Sequence, residues 1–177
     1  MQGIVSLFMP AVLGIIADRW IPAQKLLSFS HFTAALFMAA AGYYGMTKGA
    51  DVDFGTLFTL YSLSVAFYMP TLALSNSVAY TALDKAGLDT IRTFPPIRIF
   101  GTIGFICSMW VVDLLGLQNN YGQFFACAII GVAYGVYALT LPECPTSKGD
   151  NAKSLVEALG LRAFTLFKHC LLYTSDA

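Results

Sequence analysis

Charge is what this sequence has least of. Asp, Glu, Lys and Arg make up 11% of its 177 residues, while 57% are hydrophobic. A soluble domain carries a charged share of roughly a quarter. Together with a mean hydropathy of +0.68, this shortage sets aside the soluble classes and predicts an all-α polytopic membrane protein. There is no basic excess either, since ten basic residues balance ten acidic ones. Nothing therefore recruits nucleic acid as a partner, and no RNA- or DNA-binding motif occurs. Histidine is scarce at two, and the four cysteines, Cys107, Cys127, Cys144 and Cys170, form no CxxC pair. A zinc site or disulfide framework is disfavoured, and the cysteines read as small apolar filler. GxSxG, HExxH and Walker sequences are missing, as is a carboxylate pair at helical spacing within an apolar run. An intramembrane enzyme is disfavoured accordingly, and no metal or cofactor is expected. No charged n-region precedes the first apolar run, so a signal peptide is not indicated.

What the sequence does have is long apolar runs. Gly3–Ala17 is followed by Leu26–Met46, Phe54–Tyr80, Ile97–Leu117 and Phe124–Leu141. The last four have the ~20-residue scale needed to cross a ~30 Å hydrocarbon core. The first is short, which predicts a helix whose opening turns are missing. Unpaired backbone groups are not tolerated in lipid, so each run is predicted as helix. Residues 1–141 thus form five transmembrane helices, with a tilt or kink expected at Pro70 in the overlong third run.

The basic residues are distributed unevenly. Segment 18–25 holds Arg19 and Lys25, segment 81–98 holds Lys85, Arg92 and Arg98, and the tail after Pro142 holds Lys148, Lys153, Arg162 and Lys168. Only Lys48 falls in the alternate loops 47–53 and 118–123. This alternation predicts that 18–25, 81–98 and the tail are cytoplasmic. Beyond Pro142, the polar stretch PECPTSKGDNAK reads as a linker. SLVEALGLRAFTLF follows with the spacing of an amphipathic surface helix, so 142–168 is a cytoplasmic linker region.

One stretch, TFPPIRIFGTIGF (residues 93–105), concentrates polar chemistry at the mouth of an apolar run. Pro95 and Pro96 suit the first turn of a helix starting near Ile97. From there Arg98, Thr102, Phe105 and Met109 share one face, while Gly101, Gly104 and Ser108 form a strip of small residues where a second helix could approach. Arg98 and Phe105 are about 10 Å apart along the axis, the length of a small two-ring solute. Two readings of Arg98 stand at this point: it snorkels to the interface, or it faces an aqueous cavity and binds a polar solute. Other polar residues in or near the runs carry weaker signals. In GIIADRW, Gly14 could let two helices pack closely and Asp18, followed by Arg19, could accept from a neighbouring helix N-terminus or pair with a basic residue, or the pair could form an ordinary charged turn. His31 could serve proton coupling or simply bond between helices. Asn76, with Ser75 and Ser77, reads as polar glue between helices, and Asp113 as an interface carboxylate.

FMPAVLGIIADRW, YMPTLALSNSVAY, FPPIRIFGTIGF and MWVVDLLGL, in this order, resemble the nucleoside:proton symporter family of the major facilitator superfamily. The resemblance covers about residues 3–168. It implies a partial six-helix half of that fold, helices two to six of twelve. It also implies proton-coupled nucleoside uptake across the bacterial inner membrane by alternating access, with nucleoside, protons, lipid and the absent C-terminal half as partners. The fragment is expected to be inactive alone. Arg98, Thr102 and Phe105 match the family's nucleoside-binding positions, which turns the reading of Arg98 toward the cavity. GIIADR resembles the superfamily's gating loop after the second helix, although Trp20 and Ile21 stand where a glycine is usual. Residues 169–177, HCLLYTSDA, depart from the family pattern and are expected to be non-native. Two alternatives remain: another facilitator permease, for a sugar or nucleobase, and a membrane interaction subunit that moves no solute.

Overall fold

The computed structural model describes residues 2–145, and these are helical apart from their turns and the closing segment. The elements are α1 Gln2–Arg19, α2 Ala23–Lys48, α3 Phe54–Lys85, α4 Thr90–Leu114 and α5 Gly122–Leu139, with one-turn 3₁₀ segments at Gly49–Asp51 and Leu117–Asn119. α2 through α5 are long and apolar enough to cross a membrane. The readings placed on the linker helix and on residues 169–177 lie outside the described residues.

Each break in the chain has a local cause. Pro22 disfavours helical geometry at Ile21, so α1 stops and α2 restarts after a three-residue turn. Asp53 caps α3, its carboxylate accepting from the Thr56 amide at 2.7 Å and the Thr56 hydroxyl at 2.8 Å. Gly87, at φ 68°, takes the left-handed conformation that closes the short connection between α3 and α4. Pro70 lies inside α3 as expected and is fully buried.

α2 is the hub, packed on α3 on one side and α5 on the other. Small residues set how near α5 can come. A Cβ added at Gly131 would lie 3.2 Å from the Ala35 Cβ, and one at Gly135 would lie 3.1 Å from the Phe32 ring. Two buried hydroxyls then bridge helices: Ser28 donates to the Gly135 carbonyl at 2.7 Å and Ser64 to the Ala34 carbonyl at 2.8 Å. Lipid supplies no hydrophobic drive between helices, so close backbone approach and such bonds carry the association. A buried core joins Leu13, Ala17, Ala23, Leu26, Leu27, Leu74 and Val78 with Ala138 and Cys144.

The segment after α5 folds back onto the bundle. The Cys144 amide donates to the buried Gln24 Oε1 at 3.0 Å, and Lys85 Nζ donates to the Glu143 carbonyl at 2.6 Å. The start of α2, the end of α3 and the beginning of the tail therefore meet at one end of the bundle. At the other end the Tyr44 hydroxyl accepts from the Asp53 amide, and Gly45 packs under the Tyr121 ring. Gln24, Lys85 and residues 143–144 thus share one end; the basic residues of the tail lie outside the described residues.

Candidate functional site

α4 begins earlier than its prolines suggest. Asp89 accepts from the Ile91 amide at 2.9 Å and starts the helix at Thr90. Pro95 and Pro96 then lie inside the helix rather than in its first turn. Their missing amides orphan only the Ile91 and Arg92 carbonyls, which belong to exposed residues that solvent can serve. Arg98 consequently sits about 12 Å into the helix rather than at its mouth.

α4 packs mainly against α3, and no residue of it is buried. Near its start the Phe94 ring meets the Tyr80 ring at 4.4 Å between centroids. One turn on, Arg98 Nη1 donates to Asn76 Oδ1 of α3 at 3.3 Å. The guanidinium is therefore directed along the α3 side of the helix, not away from the other helices. Asn76, read as glue between helices, proves to be the partner of Arg98. Among the described residues no acid pairs with Arg98; the one ion pair there is Arg92–Asp89 at 3.6 Å, on the surface. Thr102 and Phe105 continue the stripe, both exposed, with Phe105 at 66%. Among the described residues no hydrogen bond engages Thr102, whereas the Ser108 hydroxyl is spent on the Gly104 carbonyl at 2.6 Å. A Cβ at Gly101 or Gly104 would meet nothing within 4 Å. The strip of small residues is thus not a close helix contact here; those contacts fall on Gly131 and Gly135 instead.

A half-open cavity of about 650 Å³ lies between α2, α3, α4 and α5. α4 contributes Ser108 and Val112 to it, whereas Arg98, Thr102 and Phe105 do not line it. His31 does line it, buried to 9% exposure, its ring edge-on to Tyr134 at 4.5 Å and to Tyr68 at 6.1 Å. Of the site residues read from the sequence whose side chains are described, His31 enters this cavity, together with Ser75 and Ser108 from the polar and small-residue strips. Tyr68 heads the YMP block, which marked it by resemblance only. Tyr134, in an apolar run, carried no signal.

The proposed gating residues lie within α1, because helix continues to Arg19 until Pro22 stops it. Gly14 is half-buried, with open space where its Cβ would be, so it does not mediate a close helix contact. The side chains of Asp18 and Arg19 lie outside the described set. Asp113, at the far end of α4, accepts from Gln118 Nε2 and so stitches the following turn.

Residues 1–174 match the family model described as Nucleoside H+ symporter. The chain is 41% identical over 170 residues to the xanthosine permease of Escherichia coli K12, which covers 95% of this chain and 38% of that protein. It is also 41% identical over 169 residues to the nucleoside permease NupG of Escherichia coli K12, covering 94% of the chain and 38% of that protein. A crystal structure of a point mutant of the nucleoside transporter NupG superimposes with a TM-score of 0.79 at 38% identity, over 94% of this chain and 40% of that one. The chain therefore spans about two fifths of the length of the relatives it matches.

Proposed function

The chain belongs to the nucleoside H+ symporter family, and on that premise we propose that it forms part of a proton-coupled nucleoside transporter of a bacterial inner membrane. Its contribution is one wall of the solute path, the Arg98–Thr102–Phe105 stripe of α4. The observation that carries this reading is the Arg98–Asn76 bond at 3.3 Å, which holds a cation with no acidic partner among the described residues against α3. A charge within a membrane-spanning helix is costly, and those retained serve solutes, partners or water-filled paths. The guanidinium still has donors free to offer a ribose hydroxyl or a base carbonyl. The exposed Thr102 hydroxyl can bond the solute, and Phe105 offers a face for stacking on the base. The remaining contacts come from the part of the transporter outside this chain.

His31, buried between two tyrosines, is the residue of this segment best suited to titrate during proton coupling. Arg19, Lys25, Lys85 and Arg92 gather at one end of the bundle, which supports placing that end in the cytoplasm. Gly14, Asp18 and Arg19, at the close of α1 on that end, are then the gate, and residues 142–168 link the two halves.

The test is uptake of labelled uridine or xanthosine by cells expressing the full-length permease that carries this segment. Arg98→Ala abolishes uptake while leaving the amount of protein in the membrane unchanged. Uptake at the unsubstituted level would refute the site.

A further inference from the structure

The partner of Arg98 is uncharged, and this has consequences for binding. A membrane protein that only needed to neutralise an arginine would place a carboxylate against it, since charge-assisted, bidentate pairs are the strongest available. Here the acceptor is the carboxamide oxygen of half-buried Asn76, at 3.3 Å. The acids nearest along the two helices are Asp84, eight residues past Asn76 on α3, and Asp89, nine residues before Arg98 on α4; either is about 12 Å or more away along its helix axis. Lys85 and Arg92 are the basic neighbours at that end, and Arg92 is taken by Asp89. A flexible arginine carries roughly 2 kcal/mol of rotamer entropy. Holding one of its nitrogens before the solute arrives removes part of that cost from binding.

We infer that Asn76 is a positioning residue for nucleoside recognition: it aims the Arg98 guanidinium without neutralising it, leaving the full charge and the remaining donors for the solute. This rests on the assignment of Arg98 to the solute path and adds a second helix to it. Asn76 touches the solute only through Arg98. Its amide nitrogen faces no acid on either helix, so the arrangement works through geometry rather than titration.

The neutral holder and simple helix glue differ in what Asn76→Asp does. An aspartate accepts the same hydrogen bond more strongly. If Asn76 merely fastens α3 to α4, Asn76→Asp binds nucleoside as well as the unsubstituted protein and is at least as stable. If Asn76 positions Arg98, the carboxylate claims the guanidinium and the nucleoside loses it. Equilibrium binding of uridine to the purified full-length permease is measured by calorimetry for Asn76→Ala, Asn76→Asp, Arg98→Lys and Arg98→Ala, and for Asn76→Ala combined with Arg98→Lys. The expected result is a rise in Kd of about tenfold for Asn76→Ala, the scale of one bond to a charged group. The rise is larger for Asn76→Asp, whose thermal stability stays unchanged or improves. In the Arg98→Lys background Asn76→Ala adds little, because both changes remove the same interaction. Tight binding by Asn76→Asp, or a full additional loss in the Arg98→Lys background, would overturn the inference while leaving Arg98 in the site. Undiminished binding by Arg98→Lys and Arg98→Ala alike would overturn the site itself.

Discussion

Replacing Gly131 with leucine tests how this bundle holds together. A bare Cβ at that position already lies 3.2 Å from the Ala35 Cβ and 3.8 Å from the His31 carbonyl oxygen. Neither neighbour can swing aside, since one is a methyl stub and the other is backbone. A leucine carries three further carbons into the same contact and must push α5 off α2. Overpacking of this kind costs typically about 1–3 kcal/mol. One helical turn further on, the same separation stretches the 2.7 Å bond from Ser28 to the Gly135 carbonyl, and interhelical bonds in membranes are worth about 0.6–2 kcal/mol. The combined loss is about 2–5 kcal/mol, softened by the better helix propensity of leucine, about 1 kcal/mol over glycine. Unfolding of the purified full-length permease in mixed micelles by added sodium dodecyl sulfate gives the free-energy difference. Ala133→Leu is the control, because Ala133 is exposed on the same helix two residues away. It should change stability by less than about 0.5 kcal/mol, as surface substitutions do. Equal losses for the two variants, or none for Gly131→Leu, would refute the close α2–α5 contact.

Three further outcomes follow from individual contacts. Gln24→Ala removes the acceptor of the Cys144 amide; a loss of about 1 kcal/mol should speed hydrogen exchange at that amide about fivefold while leaving the α2–α5 amides unchanged. The Thr56 hydroxyl, with the Thr56 amide beside it, holds the Asp53 carboxyl below its ordinary value of 3.8. Because the folded value is the lower one, this contribution to stability is present above pH 3.8 and is lost as pH falls through the depressed value; Asp53→Asn should flatten that acid limb in a pH titration of unfolding. Phe105→Ala removes the stacking face and should weaken nucleoside binding by roughly five- to a hundredfold, the range for one base stacked on an aromatic ring, whereas Phe105→Trp retains binding; equal affinity for Phe105→Ala would remove that residue from the site.

Span length and composition were legible in the sequence because lipid leaves the backbone few options. The apolar runs set α2, α3 and α5 to within a few residues, and the alternation of Lys and Arg anticipated that residues near 24, 85 and 143 share one end. The start of α4 was not legible. Its two prolines suggested a beginning near Ile97, but the Asp89 cap won because the two carbonyls they orphan are exposed. The pairing of Arg98 with Asn76 depends on how α3 and α4 cross, and no periodicity within either helix encodes that. The cavity beside His31 is built from four helices at once, so Tyr134 could not be distinguished from ordinary packing. Gly101 and Gly104 looked like a contact strip by spacing, yet Gly131 and Gly135 make the contact, since spacing does not identify which neighbour is present.

The most direct test of the account asks what the α4 stripe faces. Thr102→Cys is placed in a full-length permease whose native cysteines are replaced, and a small charged thiol reagent is applied to membrane vesicles with and without nucleoside. The account predicts labelling at position 102 that saturating uridine or xanthosine suppresses, and no labelling of Phe100→Cys, two residues away and on the opposite face of the helix. Protection by nucleoside would place the stripe on the solute path. A Thr102→Cys thiol that stays unlabelled like Phe100→Cys, or that labels equally with nucleoside present, would contradict it.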